Sequence, residues 1–262
     1  MKQYVADAFT SEVFHGNQAA VCVLNKWLPD ELMLNIAREN NFSETAFTVK
    51  CDDGYELRWF TPGSEVNLCG HATLATSFIL FSYYESEAHQ ITYHTKSGDL
   101  FVSRKNGLIM MDFPKYQYHE VGITDRMINV MGAAPVKAYL GPELLLIYED
   151  EKIVRELKPD FDGMMQLEGS GVAVTAPGAG YDCVSRYFAP KLKINEDPVT
   201  GSVHCMIVPY WAEQLGKNDI RAYQASERGG ELYCELCGER VKIAGKAVLY
   251  SIDELNIGEQ IR

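Results

Sequence analysis

The chain is short of positive charge. Its 24 Lys and Arg residues stand against 36 Asp and Glu, for a net charge of −12. A surface that acidic repels phosphate backbones and argues against nucleic-acid binding. Long apolar runs are missing as well. The longest, ATLATSFILFSYY, is too short and too broken by hydroxyls to span a bilayer. No secretory leader is legible, because MKQYVADAF runs into polar residues and AAVCVL is too short. Cysteine is present seven times, an odd count without framework spacing. Reduced thiols in the cytoplasm are therefore expected, not disulfides. The CxxC formed by Cys234 and Cys237 has no second pair to complete a zinc site. Its surroundings, ELYCELCGERVKI, read as two strands around a turn and not as a redox motif opening a helix. The clusters GSG (169–171) and GAG (178–180) lack the helix and distal acid of a dinucleotide fingerprint. No metal-ligand spacing appears, so neither a metal nor a cofactor is expected.

What is present is a core. The chain has 262 residues and is 47% hydrophobic, enough for one large domain or two ordinary ones. A weak repeat favours two. SETAFT (43–48) resembles SGVAVT (170–175), and RWFTP (58–62) resembles RYFAP (186–190). GHATLATSF from Gly70 resembles GSVHCMIV from Gly201, and SGDLFV (97–102) resembles GGELYC (229–234). The offsets are 127, 128, 131 and 132, rising without reversal. Accidental matches would rarely be so ordered.

The periodicities fit this plan. YVADAF, AAVCVL, SETAFTV and YELRWFT read as strands, and PDELMLNIAREN as an amphipathic helix with Leu32, Ile36 and Ala37 on one face. GHATLATSFILFSYYE is apolar nearly all round and should be a buried helix. ITYHT, DLFVSR and LIMMDF return to strand. The second half repeats the order, with Pro209 inside its helix predicting a kink or a freed carbonyl. The stretch KYQYHEVGITD is the expected link. The expected fold is α/β (α+β): two similar domains, each a mostly antiparallel sheet wrapped around a central helix. Their limits are placed at 1–118 and 119–262, with the final residues allowed to cross back.

Several residues are candidates for chemistry. The helix starts at EVNLCGHAT and NEDPVTGSVH place Gly70 and Gly201 where a ligand can approach the backbone. Helix N-termini favour anions. Two such ends facing each other would grip a carboxylate and stabilise an enolate-like transition state. The plainer reading is ordinary capping by Asp197, Thr200 or Asn67. His71, in a first helical turn, is expected to be neutral under the helix dipole and able to relay a proton. His204 reads as core. Glu44 alternates onto a strand face with Ala46 and Thr48, a face that a solvent-exposed edge would also produce. In the repeat register it matches Gly171, so the fold unit does not need a carboxylate there. Cys69 raises a two-thiol racemisation, but its register partner is Thr200. The plainer reading is a small buried residue.

Taken together, FHGNQAAVCVL, SETAF, RWFTPGSEVNLCGHATLA, VTAPGAGYDCVSRYFAP and NEDPVTGSVHC resemble the phenazine-biosynthesis isomerase-like (PhzF) family, within the diaminopimelate-epimerase-like fold. The resemblance spans nearly the whole chain in order. It implies two pseudo-symmetric domains with a ligand cleft between them, and commonly a homodimer. It implies that Glu44 is the acid/base, moving a proton between carbons of a small carboxylate substrate without a cofactor. The family's founding substrate is a dihydro-hydroxyanthranilate. His71 and Asp197 would bind substrate or help shuttle protons, and burial would raise the Glu44 pKa toward neutrality. Asn17, Ser43, Gly70, Gly201 and Ser202 match substrate-binding positions. Gln18 stands where the family usually has Pro. The rival readings are a Cys69-based racemase or epimerase and a non-catalytic small-molecule binding protein. Neither nucleic acid nor membrane is an expected partner.

Overall fold

The computed structural model describes residues 1–258. Two compact units emerge: Met1–Asp112 with the described residues from Ala244 onward, and Phe113–Ile243. The sequence placed the division after Tyr118. In the structure it follows Asp112, inside a strand.

The first unit begins with β1 (Lys2–Ala8), β2 (Asn17–Leu24), α1 (Asp30–Asn40), β3 (Glu44–Cys51), β4 (Gly54–Phe60) and β5 (Glu65–Val66). It continues with α2 (Gly70–Tyr83), β6 (Gln90–Thr95), β7 (Gly98–Lys105) and β8 (Leu108–Pro114). The second holds β9 (His119–Val121), α3 (Asp125–Met131), β10 (Lys137–Leu140), β11 (Leu144–Ile147), α4 (Glu151–Glu156) and α5 (Phe161–Met164). Then come β12 (Val172–Pro177), β13 (Cys183–Phe188), α6 (His204–Leu215), β14 (Asp219–Gln224), β15 (Gly230–Cys237) and β16 (Arg240–Gly245). The last strand, β17 (Ala247–Glu254), returns to the first unit and pairs antiparallel with β1.

The two units repeat one pairing scheme. In the first, β1–β2 is antiparallel, β2–β3 parallel, β3–β4 antiparallel, β4–β6 parallel and β6–β7 antiparallel. In the second, β10–β11, β11–β12, β12–β13, β13–β14 and β14–β15 follow the same alternation. Register is kept too: Thr48 faces Leu57, and Thr175 faces Ser185. These are the offsets of 127 and 128 read from the sequence. The fold is therefore the mostly antiparallel, helix-centred α+β repeat that was expected.

In the first unit β3 is covered on both sides. Phe47 and Val49 pack with Leu32, Met33 and Ile36 of α1. The opposite face meets α2, which also packs on β1 and β2. α2 is buried nearly all round over its first three turns, and three buried hydroxyls turn back to their own helix. Thr73, Thr76 and Ser77 donate to the carbonyls of Cys69, Ala72 and Thr73 at 2.5, 2.7 and 2.7 Å. That local bonding is how polar side chains survive in an apolar helix.

The second helix needs one correction. Gly201 does not open it: residues 201–203 form turns, and α6 starts at His204. Three i→i−3 bonds, from His204, Cys205 and Met206 to Gly201, Ser202 and Val203, tighten this entry, each 3.0 Å long. Such turns commonly precede an α-helix. Pro209 lies inside α6 and cannot donate to Cys205. The freed Cys205 carbonyl accepts the Tyr116 N–H at 3.1 Å. All seven cysteines are free thiols. Among the described residues no helix is long and apolar enough to cross a membrane.

Candidate active site

Glu44 is the first residue of β3, and the exposed-edge reading fails there. β3 lies between β2 and β4, and Thr45, Ala46, Phe47 and Thr48 are all buried. The Glu44 side chain is only 13% exposed. Its register partner on β2 is Ala19, which places Asn17 on the same face two residues earlier. Asn17 is fully buried, while Ser43, just ahead of β3, is half-buried. A partly buried set of amide hydrogen bonds steadies this strand start. Gln3 and Asn40 exchange side-chain hydrogen bonds of 3.1 and 2.9 Å, and Asn40 donates to Thr45 Oγ1 at 3.0 Å.

The first turn of α2 brings the imidazole to this carboxylate. His71 Nε2 lies 3.2 Å from Glu44 Oε2. On the other side of the ring, Nδ1 lies 3.6 Å from Cys69 Sγ. A thiol, an imidazole and a carboxylate are thus held in series. Burial pushes His71 down to about 4, against the pull of a hydrogen bond with the Gln18 backbone. The ring is neutral near pH 7, and burial is the principal cause. A neutral imidazole can give or take one proton across its ring, which a fixed cation cannot.

Neither helix start is capped by the side chain of its own N-cap residue. α2 is entered through Cys69 in extended conformation and α6 through Val203. In the second unit Asp197 is buried and accepts from the Thr200 hydroxyl. Gln224 locks this loop. Its Nε2 donates to the Asp197 carbonyl at 2.7 Å, and its Oε1 accepts the Thr200 N–H at 2.8 Å. Gly201 is buried and Ser202 half-buried. His204 is core, as expected. Its Nδ1 is 2.7 Å from the Thr200 carbonyl and Nε2 is 3.4 Å from Ser185 Oγ, with burial pushing it to about 4.

Sequence reasoning missed the supports of both loops. Arg58 on β4 makes a bidentate pair with Glu65, at 2.8 and 2.9 Å. Arg186 on β13 does the same with Glu196, at 2.7 and 2.9 Å. Both glutamates stand five residues before the repeated glycines Gly70 and Gly201. Extending the repeat by that distance would have found them. Gln224 had no such signal, because its repeat neighbour in register is a threonine, Thr95.

Residues 6–252 match the model of the PhzC-PhzF family, described as phenazine biosynthesis-like protein. The chain belongs to this family. An uncharacterized isomerase of Pseudomonas aeruginosa is 47% identical over 253 residues, 96% of this chain and 97% of the relative. A PhzF-family phenazine biosynthesis protein of Enterococcus faecalis, solved by crystallography, matches with a TM-score of 0.96 at 47% identity. That match covers 98% of this chain and 99% of the other. A probable proline racemase from Agrobacterium radiobacter shares the fold alone, with a TM-score of 0.63 at 8% identity over 98% and 93% of the two chains. In this PhzF-like chain Gln18, at the usual Pro position, sits within β2 opposite Asp7. Its backbone also reaches His71.

Proposed function

We propose that the chain is a cofactor-independent isomerase that moves a proton between carbons of a small carboxylate substrate. The contact between Glu44 and a buried, neutral His71 carries this reading. Glu44 removes an acidic C–H proton and leaves an enolate-like anion on the substrate. A proton is returned at a different carbon, the abstracted one having exchanged with solvent in between, so the reaction is redox-neutral and consumes no co-reactant. His71 holds the carboxyl group in position and can take the proton between the two steps. The uncapped start of α2 at Gly70 supports a place for an anionic group beside Glu44. Asn17 and Ser43 are assigned to substrate binding on their position and on the resemblance. Asp197, Gly201 and Ser202 are assigned to it by the resemblance alone. A cytoplasmic homodimer without nucleic-acid or membrane partners completes the proposal.

The test is deuterium wash-in. The protein is incubated in D₂O with a panel of small amino and hydroxy acids, and each is read by mass spectrometry. Glu44→Gln should lower exchange by about 10²-fold or more while calorimetry finds substrate binding nearly unchanged. Full exchange in that variant ends the proposal. A second reading, a racemase using the Cys69 thiol, is favoured by one observation, its 3.6 Å approach to His71. Its second base is not evident: the register partner Thr200 spends its hydroxyl on Asp197.

A further inference from the structure

We propose that Cys51, Asp53 and His94 form a binding site for a borderline-soft divalent cation, Zn²⁺ by donor chemistry, separate from Glu44. The thiol, a carboxylate oxygen and a ring nitrogen lie within 4.8 Å of one another. Strand register builds the cluster. Cys51 ends β3 and Asp53 lies in the turn into β4. β6 runs parallel to β4 and sets His94 beside Glu56, and β7 sets Asp99 opposite His94. The resulting separations suit donors around one ion. Asp53 Oδ1 is 3.8 Å from Cys51 Sγ and 3.0 Å from His94 Nε2.

The second observation is on the far side of the ring. Asp99 Oδ1 lies 2.8 Å from His94 Nδ1. A carboxylate on one imidazole nitrogen fixes the ring and raises the basicity of the other, the usual outer arrangement of a metal-binding histidine. Sulfur, nitrogen and carboxylate together favour zinc over calcium or magnesium. The Cys51 thiol would lose its proton on binding. Thiolate and carboxylate then balance the charge of the ion, and the exposed Asp53 side leaves a fourth position to water. The trio Glu44, Cys69 and His71 is as compact but built differently. There the thiol and the carboxylate flank opposite ring nitrogens, so one ion bound through the imidazole cannot meet both without rearrangement.

The experiment titrates the full chain with Co²⁺, followed by Zn²⁺ displacement. A thiolate-to-Co²⁺ band should saturate at a single equivalent and vanish on adding Zn²⁺. It should be lost in Cys51→Ser and persist in Cys69→Ser and Glu44→Gln, which separates this site from the acid/base. His94→Gln and Asp99→Asn should weaken binding, the latter by about 10-fold or more. A band unchanged in Cys51→Ser, or no saturable band, overturns the proposal and leaves an exposed ion-pair network. The wild-type chain gives a readout independent of variant folding. Zn²⁺ should slow iodoacetamide alkylation of Cys51, mapped by mass spectrometry, and equal labelling with and without Zn²⁺ overturns the site.

Discussion

His71 is approached at both ring nitrogens, by a carboxylate and by a thiol, and their shares in the chemistry can be separated. If Glu44 is the base, Cys69 tunes the imidazole from behind. Cys69→Ser should then keep activity within about 10-fold of wild type and resist thiol alkylation. A loss as large as that of Glu44→Gln, measured as kcat in the same exchange assay, would move the chemistry to sulfur. His71 stood out in the sequence as a histidine after a helix-opening glycine, whereas the charge of Glu44 in an apolar strand left the exposed-edge reading open until the resemblance pointed to it. Gln224 was not legible. Its importance lies in reaching back 24 residues to Thr200 and 27 to Asp197, and only strand register creates that reach.

Pairing of elements explains why the two copies differ where they do. Gly171 matches Glu44 in the repeat register. The structure gives a steric reason for the difference. A Cβ at Gly171 would lie 2.6 Å from Tyr187 Oη and 2.7 Å from the Phe188 carbonyl. The second strand has no room for a side chain there, and one of the obstacles is backbone. Gly171→Ala should therefore cost about 1–3 kcal/mol of stability, read as a lower urea midpoint. An unchanged midpoint would show that Tyr187 swings away freely. The order of elements and their repeat were readable because periodicity and offsets survive in sequence. The start of α6 was misplaced because Gly201 resembles Gly70 while the turn at 201–203 precedes the helix. The Cys51, Asp53 and His94 cluster left no trace in spacing, since its third donor arrives from a strand 41 residues after Asp53, across a sheet.

Acid should destabilise the whole molecule in two stages. Burial lowers His71 and His204 from an ordinary 6.5 to about 4. The unfolded chain takes up those protons first, so stability present above pH 6.5 is lost as pH falls toward 4. Arg58, chiefly by hydrogen bonding, holds Glu65 at about 2 against an ordinary 4.5. Its contribution is present above 4.5 and fades as pH drops toward 2. Urea midpoints measured from pH 8 to pH 3 should decline through both windows. A flat profile between pH 7 and 4 would contradict the buried neutral histidines.

The return of β17 to β1 has a consequence for synthesis on the ribosome. Residues 113–243 are contiguous, so every element of the second unit is synthesised before β17. The first unit, although translated earlier, waits for residues 247–254 to fill the edge of β1. Until they emerge, that edge presents unpaired backbone groups to any neighbouring strand. The part of the chain carrying Glu44 and His71 is made first and finished last. The risk of misassembly during production is concentrated in that interval.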